Sequence, residues 1–189
     1  DASLHWAESL LEANNIPENT VIVIVPFYNV GGSLNRSCCT RANQNGPVNQ
    51  GFRGNAQNLD LNRDFMKADS ENAKLFQQLI TLINPDIIMD THSTNGADYQ
   101  YTMTLIPYQF EKWPAPLRDV GRKWFAEVKE KTNNDVKTQN YVNVWGTTPE
   151  AGFDAFEVTS IFSGGYAGLF RALNITTEAH MFKSYPERV

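Results

Sequence analysis

Apolar positions recur at helical spacing over residues 2–14, ASLHWAESLLEAN, where Leu4, Ala7, Leu10 and Leu11 share one face. The spacing predicts a helix. Residues 21–27, VIVIVPF, form a continuous β-branched run, which predicts a strand buried on both faces of a sheet. From Asn29 to about Asn58 the chain is polar and rich in Gly, Asn, Arg and Gln. A structureless stretch of that length is uncommon and often functional. Residues 69–84 read as a second amphipathic helix, with Asp69 or Ser70 as N-cap and Pro85 just past its end. A short apolar run, Ile87-Ile88-Met89, then stops on Asp90-Thr91-His92-Ser93 and predicts a strand ending at His92. Another strand is predicted over 99–107. Pro114 and Pro116 open a third helix to about Asn133, with Leu117, Val120, Trp124, Phe125 and Val128 as its apolar stripe. Residues 141–145 read as a strand, 165–174 as a short helix and 175–179 as a last strand.

Strands alternating with helices predict an α/β fold, a mostly parallel or mixed central sheet with helices on both faces. In such sheets ligands bind beyond the carboxyl ends of the strands. A chain of 189 residues suits one domain, and 41% apolar with 20% charged residues is a globular balance. Sixteen Lys and Arg against 21 Asp and Glu leave a net charge of −5. That balance argues against nucleic acid or an anionic membrane as partner. No apolar run approaches the ~20 residues that span a bilayer. Cys38 and Cys39 are adjacent, and neighbouring Cα atoms lie ~3.8 Å apart, closer than the usual ~4.4–6.8 Å of a disulfide. Two free thiols are expected.

Three stretches carry candidate chemistry. His92 sits at a strand end, where it is either a ligand or a histidine simply hydrogen-bonded in place; Asp90, two residues back, points to the same side. In GFRGNAQNLDLNRDF (51–65), Arg53, Asn62 and Arg63 lie in or beside the long loop. A guanidinium fork with a neutral donor beside it suits a free carboxylate. The other reading is an ion-pair cluster of Asp60, Arg63 and Asp64. In TTEAH (176–180), Glu178 also lies near a strand end. A partly desolvated glutamate there has a raised pKa and can act as a general base, unless an arginine pairs with it.

These stretches, in this order, resemble the zinc carboxypeptidases of the M14 family of metallopeptidases. The resemblance rests on RGNAQNLDLNRDF, on PFYNVGG (26–32), on DTHSTNG and on TTEAH, and it runs from about Pro26 to His180. In PFYNVGG the family's Pro-Asp is replaced by Val-Gly. The resemblance implies a zinc-dependent metallocarboxypeptidase that removes C-terminal residues from peptides and proteins. His92 would be one of three zinc ligands, with water in the fourth position. The metal would activate that water and polarise the scissile carbonyl. Glu178 would be the general base, Arg53 the oxyanion stabiliser, and Asn62 with Arg63 the grip on the substrate's terminal carboxylate. Tyr166 is the nearest match to the family's active-site tyrosine, and the local pattern around it departs from the family's. Relatives are often secreted or periplasmic.

The family's other two zinc ligands form an H-x-x-E motif ahead of the matched segments. The chain holds one, His5-Trp6-Ala7-Glu8. His5, Glu8 and Glu12 line up opposite the Leu4, Ala7, Leu11 face, the pattern of a solvated helix face. The motif in the family follows a strand, and four residues are too few for one. We therefore expect a single metallocarboxypeptidase-like catalytic domain over residues 1–189, incomplete at both ends, with the true ligands upstream of Asp1 and the fragment inactive alone. Two rival functions stay open: an amide hydrolase acting on N-acyl amino acids, and a non-catalytic module that binds carboxylates.

Overall fold

The computed structural model describes residues 2–144 and 147–189. Its helices are α1 (Ala2–Glu12), α2 (Val30–Leu34), α3 (Glu71–Ile83), α4 (Ala115–Asp135), α5 (Ser163–Leu169) and α6 (Tyr185–Arg188). Its strands are β1 (Ile87–Ser93), β2 (Met103–Pro107), β3 (Thr138–Asn140), β4 (Val142–Val144), β5 (Phe153–Ala155) and β6 (Leu173–Ala179). Four strands form the central sheet in the order β1-β6-β2-β3. β1 runs parallel to β6 and β2 parallel to β3, while β2 and β6 are antiparallel. β4 and β5 make a separate antiparallel pair.

Register decides which side chains share a face. Ile88, Asp90 and His92 leave one face of β1, beside Asn174, Thr176 and Glu178 of β6. On that face Ile88 packs against Phe65, Phe76, Ile80 and Tyr166, which come from α3, α5 and the loop before α3. The opposite face presents Leu105 and Ile175 to Phe125, Trp124 and Val128 of α4. The sheet is therefore covered by helices on both sides, as the alternation of elements predicts.

α3 starts and stops for local reasons. The Ser70 side chain accepts from the Ala73 N–H at 3.1 Å. At the far end Asn84 takes a left-handed conformation just before Pro85. Along α4 the buried positions are Gly121 and Phe125, and Val120 is exposed. Leu117, Trp124, Phe125 and Val128 of the predicted stripe meet the core, and Val120 alone does not. The Trp113 ring lies where a side chain at Gly121 would sit, so that turn of the helix meets the core through a glycine.

Residues 21–27 do not form the predicted strand. Val21 is 88% exposed, and Val23, Val25 and Phe27 are about half exposed. A strand needs a neighbour to satisfy its backbone, and among the described residues no strand pairs with this segment. β1 lies at the edge of the sheet, with Ile87 and Met89 exposed. α1 likewise buries none of its residues, so its apolar stripe meets no core. β5 and β3 were not expected from the sequence. Each is three residues long, too short for a period-2 pattern to register. No helix is long and apolar enough to cross a membrane among the described residues.

Candidate active site

His92 and Glu178 are register partners at the carboxyl ends of adjacent parallel strands. Their side chains leave the same face. His92 Nε2 lies 2.8 Å from Asp90 Oδ2. That bond orients the ring and leaves Nδ1 without a hydrogen-bond partner among the described residues. The Ser163 hydroxyl, at the start of α5, donates to the same Asp90 oxygen. Burial opposes charge on Asp90, but the bonds from His92 and Ser163 outweigh it and hold the carboxyl below its ordinary range. Burial also opposes charge on His92. The bond and charge of Asp90 overcome it, with a smaller contribution from Glu178, and raise the imidazole pKa.

Glu178 behaves differently. Burial, its largest influence, and then the Asp90 charge push its pKa up to about 7, against the pull of His92 and Arg53. Its Oε2 atom is buried and has no hydrogen-bond partner among the described residues. A carboxyl that changes protonation near neutral pH, with one oxygen unmet, is poised to exchange a proton with a ligand.

Arg53 reaches this pair electrostatically and is held from behind. Its Nε donates to Asp60 Oδ2 at 2.9 Å, which leaves the terminal nitrogens of the fork free of that bond. Asp60 Oδ1 accepts from the Asn62 N–H at 3.0 Å and caps the 3-10 turn Leu61–Arg63. One carboxylate thus ties Arg53 to the Asn62-Arg63 turn. The Arg63 guanidinium lies 4.9 Å from the Phe162 ring centroid, and Phe162 immediately precedes Ser163. The anticipated ion-pair cluster does not form. Asp60 pairs with Arg53, and buried Asp64 accepts from the N–H groups of Asp69 and Ser70, at 2.9 Å each. Arg63 has no carboxylate partner among the described residues.

The long loop is stitched down by Asn29. Its Nδ2 donates to the carbonyls of Arg53 (3.0 Å) and Gly54 (3.2 Å), and its Oδ1 accepts from the Gly32 N–H at 2.9 Å. Gln44 Nε2 donates to the Thr94 carbonyl at 2.7 Å, fastening the loop to the chain just past His92. Cys38 and Cys39 are exposed free thiols.

Two sequence candidates lie elsewhere. Tyr166 is buried in the core against Phe76 and Phe170, because α5 turns it toward α3. His5 and Glu8 face each other at 3.7 Å on exposed α1. Leu4, His5, Glu8, Leu11 and Glu12 line a shallow hollow made by that helix alone. No group of three or more His, Cys, Asp and Glu that could hold a metal forms among the described residues. His5 and Glu8 therefore do not join His92.

The structure adds residues that the sequence reading missed. Ser163 is 73 positions from Asp90, and no local pattern signals the contact. The Tyr99 and Tyr141 rings pack at a tilt with centroids 5.7 Å apart, and the Tyr99 hydroxyl donates to the Val142 carbonyl at 3.0 Å. Burial raises both phenol pKa values, and Glu178 is near enough to raise them further. Both tyrosines stood in the sequence inside predicted strands, with nothing to mark them as facing Glu178.

No protein-family model matches the chain, and no curated protein matches it. Solved structures do. A metallo-carboxypeptidase from Pseudomonas aeruginosa, in complex with (2-guanidinoethylmercapto)succinic acid, matches 76% of this chain at 16% identity with a TM-score of 0.53. A metallo-carboxypeptidase from Burkholderia cenocepacia matches 72% of the chain at 21% identity with a TM-score of 0.47. The chain spans about a third of the length of these structures, 37% and 33% respectively. The Pseudomonas match shows that the α/β fold of this chain is carboxypeptidase-like.

Proposed function

We propose that this chain carries the hydrolytic half-site of a zinc-dependent metallocarboxypeptidase acting on peptide and protein C-termini. The observation that supports it most is Glu178: a buried, unpartnered carboxyl oxygen at the strand end, register partner to a histidine with a free ring nitrogen. In this reading Glu178 takes a proton from the attacking water as the water oxygen bonds to the scissile carbonyl carbon. It passes that proton to the amine as the C–N bond breaks. Arg53 offers its free guanidinium end to the oxyanion. Asn62 and Arg63 hold the substrate's terminal carboxylate, which restricts cleavage to the chain end.

The donor set fits zinc only in part. His92, oriented by Asp90 through Nε2, presents Nδ1 as one ligand. The described residues form no group of three, so a complete ligand set requires donors beyond them. When bound, the metal would supply Lewis acidity. The test is hydrolysis of a blocked dipeptide, with zinc present, by a protein extended to carry the full zinc ligand set. Glu178→Gln is expected to lower turnover by roughly 10²- to 10⁴-fold, the usual contribution of a positioned acid–base group. Zinc content should stay unchanged in Glu178→Gln and fall in His92→Ala. Full turnover in Glu178→Gln would overturn the assignment of the base.

A further inference from the structure

A cleft of about 290 Å³ opens between the α2 turn and the loop that carries Arg41 and Gln50. Asn29, Ser33, Arg41, Gln44, Gln50 and Phe52 are among its lining residues. Arg41 is the one charged side chain among the described lining residues. It is half-buried, and no carboxylate lies within ion-pair distance of it among the described residues. Asp60, whose charge acts on Arg41, is paired with Arg53. Burial and the charge of Arg53 both disfavour the Arg41 cation, and Asp60 offsets them only in part. A half-buried guanidinium with no carboxylate paired to it, lining a cleft of otherwise neutral groups, is suited to receive an anion.

The cleft is also bounded by hydrogen-bonded segments. Its walls are fixed by the Asn29 amide and by the Thr40 hydroxyl, which donates to the Gly51 carbonyl at 3.1 Å. A side chain at Gly32 would overlap the Phe52 carbonyl, so the two walls approach through bare backbone. Phe52 adjoins Arg53, whose charge acts on His92 and Glu178 as well as on Arg41. Gln44, in the wall, is bonded to the segment that follows His92. The cleft is therefore tied to the candidate active site through the Phe52–Arg53 step of the chain and the Gln44–Thr94 bond.

We propose that this cleft is a carboxylate-binding subsite, in which Arg41 receives an acidic side chain of the peptide held at Glu178. The inference rests on the peptidase reading for the identity of the ligand. One guanidinium and several neutral polar walls suit a singly charged carboxylate. The consequence is a preference for peptides with Glu or Asp beside the C-terminal residue.

The experiment compares binding of N-acetyl-Glu-Phe and N-acetyl-Gln-Phe to the whole protein by calorimetry, without added metal. A charge-assisted contact of this kind predicts about tenfold tighter binding of the Glu peptide. In Arg41→Gln the ratio should fall to about one while the Gln peptide binds as before, and Arg41→Lys should restore part of the preference. A preference that persists in folded Arg41→Gln overturns the proposal. Where Arg41→Gln does not fold, the wild type decides. Glutarate should shift the Arg41 Nε–H signal in ¹⁵N NMR and glutaramide should not, and an unmoved signal overturns the subsite. Persistence of the ratio and the shift, with neither peptide cut in the presence of zinc by a protein extended to carry the full zinc ligand set, would sink the peptidase reading and leave the subsite standing.

Discussion

At the scale of single residues, neighbouring carboxyls on one sheet face are driven in opposite directions. Asp90 has two donors and stays ionised. Glu178 has a buried oxygen with none and holds its proton to about pH 7. Unfolded, that carboxyl titrates near 4.5. Between those two values the folded state keeps a proton that the unfolded state has released, so stability falls as pH rises from about 4.5 to about 7 and levels off above. Glu178→Gln removes that fall. At pH 8 the variant is expected to be the more stable protein, by at most about 3 kcal/mol. Urea unfolding at pH 5 and pH 8 checks it, and an equal wild-type stability at both would contradict the burial of Glu178. Asp90→Asn, by contrast, frees the His92 ring. Zinc affinity should drop by roughly 10- to 100-fold, as when other groups that orient a metal ligand are lost. Equilibrium dialysis reads this directly.

At the scale of elements, periodicity and caps were legible where packing is simple. Ser70 is fully buried and closes the first turn of α3, so Ser70→Ala should cost about 1 kcal/mol, seen as a lower melting temperature. The β-branched run at 21–27 was misleading for a physical reason. Its composition suits a strand, but strand identity is conferred by a partner that accepts and donates backbone hydrogen bonds. Among the described residues none does so. Amides of residues 21–27 should therefore exchange orders of magnitude faster than those of β6, which is paired on both sides. Slow exchange at 21–27 would show that the segment is paired in solution.

At the scale of the whole molecule, the site is an assembly of distant segments: the Arg53–Arg63 stretch, the end of β1, the start of α5 and the end of β6. Motif spacing named Arg53, Asn62, Arg63, His92 and Glu178. It could not show that Asp60 links the first three, or that Ser163 and Asp90 hold the fourth. The same view bears on the H-x-x-E motif. His5 and Glu8 stand on an exposed helix, so His5→Ala should leave the zinc content of the protein unchanged while His92→Ala lowers it. A loss of zinc in His5→Ala, read by elemental analysis after dialysis, would place α1 at the metal instead.

The sequence by itself determined the helices α3 and α4, the strands β1 and β6, the free vicinal thiols and the acidic charge balance. Each follows from side-chain periodicity, covalent reach or simple counting. Tertiary structure alone decided the order β1-β6-β2-β3, the unpaired state of 21–27, the burial of Tyr166, and the proton held by Glu178. Those outcomes depend on which groups stand across a strand or a wall from one another. A carboxyl's pKa and a segment's backbone pairing are properties of such neighbours, and the neighbours are brought together only by the fold.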